Sequence, residues 1–200
     1  VWLSFNGTVT DSLKRREDLA RLRPFRSTSD TEVLLRLYEE KGIDFISGLS
    51  GMFAFCLYDR ARRKAFLVRD PHGLRPVFFT RKRGRLYFAS EIKALLEIPG
   101  LEKRLDREAL WHFFSLAYMP GSHTPYEEIE ELKAGHLLEV IEPVAGLARP
   151  HSGHLRPEPI MRLQRFPDVG LGRQHRIHVQ TPLQRHADFI QRADILRVGN

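Results

Sequence analysis

The spacing of apolar residues changes period several times along the chain, and each change predicts an element. Residues 1–5 read as a strand ending at Asn6-Gly7, a strong turn signal. Residues 11–22 read as a helix with Leu13, Leu19 and Leu22 as its apolar positions. Ser29-Asp30-Thr31-Glu32 has the capping-box form, Ser followed three residues on by Glu. It predicts a helix with Val33, Leu34, Leu37 and Tyr38 inward and Gly42 at its end.

Residues 51–58 are apolar on both parities: Phe53, Phe55 and Leu57 on one face, Met52, Ala54, Cys56 and Tyr58 on the other. A strand apolar on both faces is buried on both, so layers lie above and below its sheet. A charged turn over 59–64 leads to a second strand at 65–68, an antiparallel hairpin. Pro71-His72-Gly73 turns into a strand at 77–80, and 81–84 turns into a strand at 86–89. Ser90 is expected to cap a short helix over 91–98. Asp106 is expected to cap another that runs to Leu116, with Leu110, Phe113 and Phe114 facing inward. Short antiparallel strands with both faces covered and helices between them predict an α+β layered sandwich.

Composition narrows the function. The net charge of +7 invites a nucleic-acid reading, but residues 1–140 hold 23 Lys+Arg against 20 Asp+Glu, a net +3. Residues 141–200 hold 9 against 5, a net +4, so the excess is concentrated in the tail. The body has an ordinary mixed surface, and no nucleic-acid partner is expected. No apolar run is long enough to span a bilayer and no signal-peptide pattern is visible, so no membrane partner is expected. The single cysteine, Cys56, excludes an internal disulfide framework and fits a reducing, cytoplasmic setting. Its place in mid-strand between Phe55 and Leu57 marks it as a core residue rather than a nucleophile.

Six blocks occur in a recognisable order. They are Phe5-Asn6-Gly7, Ser29 to Val33, Gly51-Met52-Phe53-Ala54-Phe55, Arg69 to Pro76, Phe88 to Leu95, and Gly135-His136. In this the chain resembles the type 2 glutamine amidotransferase domain over about residues 1–140. Ser90-Glu91-Ile92-Lys93-Ala94-Leu95 looks most like the glutamine-hydrolysing asparagine synthetases. The resemblance implies a four-layer αββα sandwich of the N-terminal-nucleophile hydrolase type, here N-terminally truncated. It implies glutamine as substrate and an N-terminal cysteine as nucleophile, with that residue's own amine as base. Ammonia would then pass to a synthetase domain or subunit that uses ATP and magnesium to form asparagine. Asn6 and Gly7 match the oxyanion-hole pair, where one donor is typically worth about 3–4 kcal/mol of barrier. An Asn-Gly pair is also the commonest two-residue hairpin loop, and both readings stay open here. Asp30 matches the carboxylate that holds the α-ammonium of glutamine. It is equally a good first-turn helix residue. Arg69, Gly73 and Pro76 are read as turn and packing residues.

The chain also departs from that pattern. It opens with Val1, which cannot act as the nucleophile, and Thr8 stands where the synthetases have Glu. The nearest approach to a nucleotide loop is Gly170-Leu171-Gly172, too weak for a phosphate cradle. As written, the chain is therefore expected to be inactive in glutamine hydrolysis, with no catalytic nucleophile, no metal ligands and no cofactor of its own. Residues 141–200, rich in Arg, His, Pro and Gln, are expected to be an irregular or disordered tail. Either a shifted reading frame or a genuine basic tail would account for them. His151/His154 and His175/His178 have neither cysteine nor helical context nearby to suggest a metal site. Two other functions remain open: another type 2 amidotransferase, such as an amidophosphoribosyltransferase, and a non-catalytic partner-binding relative.

Overall fold

Strand β2 (Gly51–Asp59) is the spine of the molecule, and its two faces separate two cores. A computed structural model describes residues 1–21, 23–82, 85–141 and 160–165, apart from the side chains of Leu13, Ile160, Gln164 and Arg165. Phe53, Phe55 and Leu57 face a cluster that includes Val33, Leu34, Leu37, Phe45 and Leu49. Ala54 and Cys56 face the opposite cluster, with Leu67, Val77, Phe79, Leu86 and Leu138. This is the two-faced burial that the sequence predicts, except at Met52, which is 39% exposed at the start of the strand. Each large side chain so buried stabilises by about 1.5–3 kcal/mol over an exposed one. Packing on both faces therefore fixes this strand more firmly than its intrinsic propensity does.

The first sheet has the order β1-β2-β3-β7-β8. It comprises β1 (Trp2–Val9), β2, β3 (Lys64–Arg69), β7 (His136–Ile141) and β8 (Ile160–Arg165), and all its pairs are antiparallel. The second sheet, β5-β4-β6, holds β4 (Phe78–Lys82), β5 (Arg85–Ala89) and β6 (Glu130–Glu131). Helices α1 (Ser12–Ala20) and α2 (Asp30–Lys41) and a 3-10 segment, Gly42–Gly48, cover the outer face of the first sheet. Helix α3 (Ile92–Leu95) covers the outer face of the second, where Leu95, Ile98, Leu101 and Ile129 form a third cluster. Three cores between four layers make the αββα sandwich. Helix α4 (Arg107–Leu116) follows α3.

Several expectations change. Asn6-Gly7 is not a turn: β1 runs through it and pairs with β2 from Trp2↔Tyr58 to Val9↔Gly51. A type I′ loop needs positive φ at both central residues. Only Gly7, at φ +143°, has it, and Asn6 does not. The inward placing of Phe113 and Phe114 also fails, since they are 44% and 82% exposed and only Ala109 of α4 is buried. Nothing among the described residues covers that side of the helix. Asp106 does cap α4, accepting from the Ala109 N–H at 3.0 Å. In the segment expected to be irregular, Ile160–Arg165 forms a strand on the free edge of β7. Ladder hydrogen bonds order it despite its weak periodicity. Leu22, Arg83, Gly84, Gly170-Leu171-Gly172, His151, His154, His175 and His178 lie outside the described residues.

The corner from β3 to β4 joins the two sheets, and it turns about one buried carboxylate. Asp70 Oδ1 accepts from the N–H groups of His72 and Leu74 at 3.0 and 3.1 Å, and Oδ2 from that of Arg75 at 3.0 Å. Its backbone N–H donates to Phe53 O, and its carbonyl accepts from Gly73 and Gly135. Arg69 closes the corner by donating to the carbonyls of Leu132 and Gly73 and pairing with Glu131 at 2.8 Å. Gly73 sits at φ +65°, where a side chain would be strained and would meet the Arg69 guanidinium. Replacing the carboxylate would leave three part-buried amides without that partner, at about 1–3 kcal/mol each. Asp70→Ala is therefore expected to lower the unfolding free energy by about 3 kcal/mol or more in urea titration. A loss below 1 kcal/mol would contradict this role.

Candidate active site at the edge of the first sheet

Strand β1 lies at one edge of its sheet among the described residues, and strand parity decides what it presents there. Phe53 O bonds Asp70 N on the β3 side, so the Gly7↔Phe53 pair does not exchange hydrogen bonds. The backbone N–H of Gly7 therefore points away from β2. The N–H of Val9, two residues on, points the same way and donates to Asp30 Oδ2 at 3.0 Å. Non-hydrogen-bonded pairs bring strands closest together. A Cβ on Gly7 would lie 2.0 Å from Met52 O and 2.7 Å from Phe53 Cα, so only glycine fits.

Side-chain alternation sorts the rest of the strand. Leu3, Phe5 and Val9 pack toward the helical layer. Asn6 projects to the other face, between the sheets, where its Nδ2 donates to Ser90 Oγ at 3.1 Å. A side-chain amide donor and a backbone donor thus come from adjacent residues of one strand. Asp30 stands about 7 Å further along the strand, from the rise of two residues. Asn6 and Gly7 lie on β1, and Asp30, at the start of α2, meets the same strand two residues beyond Gly7 through the Val9 N–H. Cys56 is elsewhere, buried between the sheets.

Asp30 is held by an entry loop whose parts the sequence shows only in outline. Ser29 is the N-cap of α2 and accepts from the Thr31 N–H at 3.1 Å. The reciprocal half of the capping box differs. Glu32 reaches past Ser29 to accept from the amides of Arg26 and Ser27 and from the Ser27 hydroxyl at 2.8 Å. Arg36, one turn on and buried, pairs with Glu32 at 2.7 Å and donates to the carbonyls of Arg23 and Pro24. Arg16 of α1 donates to the carbonyls of Ser27 and Ser29. Phe25 lies beneath both guanidinium groups, at 4.2 Å from Arg16 and 3.8 Å from Arg36. Cation–π contacts and charge-assisted hydrogen bonds thus fix the residues leading into Asp30.

Sequence reasoning missed Ser90 in this site. Ser90 was expected as a helix cap, but the N-cap of α3 is Glu91, which makes no side-chain cap bond. The 84-residue separation between Asn6 and Ser90 leaves no local signal. Among the described residues, no group of three or more His, Cys, Asp and Glu could hold a metal ion. No helix among them is long and apolar enough to cross a membrane.

The four-layer sandwich of antiparallel sheets is that of the N-terminal-nucleophile hydrolases. The chain belongs to the glutamine amidotransferase domain family, whose model matches residues 1–146. It is similar to asparagine synthetase [glutamine-hydrolyzing] 2 of Bacillus subtilis, 40% identical over 58% of this chain and 16% of that protein. It is also similar to asparagine synthetase [glutamine-hydrolyzing] 3 of the same organism, 38% identical over 67% of this chain and 22% of that protein. The chain thus spans about a fifth of the length of these curated relatives. A solved glutamine phosphoribosylpyrophosphate amidotransferase from B. subtilis covers 83% of this chain and 29% of its own, with a TM-score of 0.52 and 22% identity. That likeness is one of fold. The asparagine synthetase kinship is favoured over the amidophosphoribosyltransferase alternative.

The entry loop has a pH signature. The Arg26 N–H, and after it the Ser27 groups and Arg36, hold the Glu32 carboxyl down from its ordinary 4.5 to about 2, against the opposing effect of burial. A depressed carboxyl contributes stability that is fully present above the unfolded value and is lost as pH falls through the folded one. The stability difference between the wild type and Glu32→Gln should therefore be constant above about pH 4.5 and shrink toward pH 2. Denaturant melts at stepped pH measure it, and a difference independent of pH would contradict the assignment.

Proposed function

We propose that the edge of β1 is the glutamine pocket of a glutaminase that supplies ammonia for ATP-dependent asparagine formation. The observation that carries this reading is the alignment of Asn6, Gly7 and the Asp30 carboxylate along one strand edge in a chain of this family. An extended glutamine separates its α-ammonium from its carboxamide carbon by about 5 Å, by ordinary bond lengths. The roughly 7 Å rise from Gly7 to Val9 is of the same order as that span, so a glutamine lying beside the strand can reach both ends. In this reading Asp30 accepts from the ammonium. Asn6 Nδ2 and Gly7 N–H donate to the carboxamide oxygen as it takes on negative charge. Hydrolysis then turns glutamine and water into glutamate and ammonia. The attack itself is the work of the family's N-terminal cysteine thiolate, a role that the buried Cys56 does not fill.

The partner that this reading implies is a synthetase portion, with ATP and magnesium bound there rather than at β1. The uncovered apolar side of α4, with Trp111 66% exposed and Phe114 82% exposed, is surface of the kind that such a partner covers. A cytoplasmic setting accords with a sequence that holds a single cysteine. Isothermal calorimetry of L-glutamine against the chain tests the pocket. Asp30→Ala should weaken binding tenfold or more, because it removes a charged partner, and Asn6→Ala by roughly three- to tenfold. Unchanged affinity in both variants would refute the reading.

A further inference from the structure

We infer that Ser90 is a positioning residue for the oxyanion donor Asn6, an inference that rests on the proposed role of Asn6. The side-chain amide of an asparagine turns about a broad terminal torsion with no sharp staggered wells. An amide meant to donate at one fixed point needs a second contact to hold its plane. Ser90 Oγ supplies that contact at 3.1 Å, from the end of β5 in the facing sheet. The hydroxyl is available because α3 is not capped by it: Glu91 is the N-cap and its side chain makes no cap bond.

The amide nitrogen carries two hydrogens. Ser90 takes one, which sets the amide plane and leaves the other to donate at the edge of β1, beside the Gly7 N–H. Both residues are half-buried, so the bond is shielded from competing water. The tie also makes the donor geometry depend on how the second sheet sits against the first. It gives Ser90 of the Ser-Glu-Ile-Lys-Ala-Leu block a chemical duty separate from helix formation. Ser90 does not touch the reacting atoms. It acts through Asn6, by ordering in advance a group whose value depends on its direction.

The test separates direction of the amide from integrity of the fold by comparing two ligands on the chain. L-glutamine uses both the ammonium anchor and the carboxamide donors. L-norvaline has the same ammonium and carboxylate but no carboxamide. Ser90→Ala should weaken glutamine binding by roughly three- to tenfold and leave norvaline binding within about twofold. Ser90→Thr, which keeps the hydroxyl, should restore glutamine binding. Equal weakening of both ligands, or no effect of Ser90→Ala where Asn6→Ala weakens glutamine, would overturn the inference and leave the reading of Asn6 standing. No effect of either substitution on glutamine would overturn both. A measurement on the unsubstituted chain guards against a variant that fails to fold. Of the two Asn6 Nδ2 protons, one should exchange with water several-fold more slowly than those of exposed side-chain amides, and fast exchange of both would also overturn the inference.

Discussion

The close approach of β1 to β2 is the constraint on which the rest depends. Two glycines on opposite strands permit it. A Cβ on Gly7 would fall 2.0 Å from Met52 O, and one on Gly51 would fall 2.2 Å from Thr8 O. Both glycines adopt positive φ, +143° and +150°, which other residues resist. Because the strands can close there, β1 stays paired for its whole length instead of turning at Asn6-Gly7. The same geometry turns the Gly7 amide outward, puts Asn6 between the sheets and brings Val9 to the Asp30 carboxylate.

Polar groups fasten this strand to the layers on either side. On the helical side, the cage of Arg16, Glu32, Arg36 and Phe25 fixes the entry to α2, and so the position of Asp30. On the other side, Ser90 ties Asn6 to the end of β5. Further along, Asp70 and Arg69 fix the corner that sets the second sheet against the first. The Asn6–Ser90 bond is a neutral one, whereas the entry to α2 and the Asp70 corner each gather several backbone groups onto charged side chains, which is how a buried charge becomes affordable.

Much of the layering was legible in the sequence, because burial on both faces leaves a direct trace. Phe53, Phe55 and Leu57 against Ala54 and Cys56 announce a core on each side of β2, and both are present. The helix face of Val33, Leu34, Leu37 and Tyr38 was legible for the same reason. Long-range pairings were not. Asn6-Gly7 has the local chemistry of a turn, and only the cross-strand contact with Met52 and Phe53 reveals why glycine is needed. Ser90 has the local chemistry of a cap and serves a residue in the facing sheet. Phe113 and Phe114 have the spacing of a core face, yet periodicity cannot say whether the surface they match lies within the described residues.

In the function proposed, one glutamine lies along the outer edge of β1, its carboxamide at Asn6-Gly7 and its ammonium at Asp30. Nitrogen–proton correlation spectra of the labelled chain, recorded with increasing L-glutamine, test it most directly. The account predicts that the largest shifts fall on the Gly7 and Val9 amides and the Asn6 side-chain amide, while the Asp70 corner and the β7–β8 edge stay still. Saturable shifts centred elsewhere, with those three signals unmoved, would contradict it.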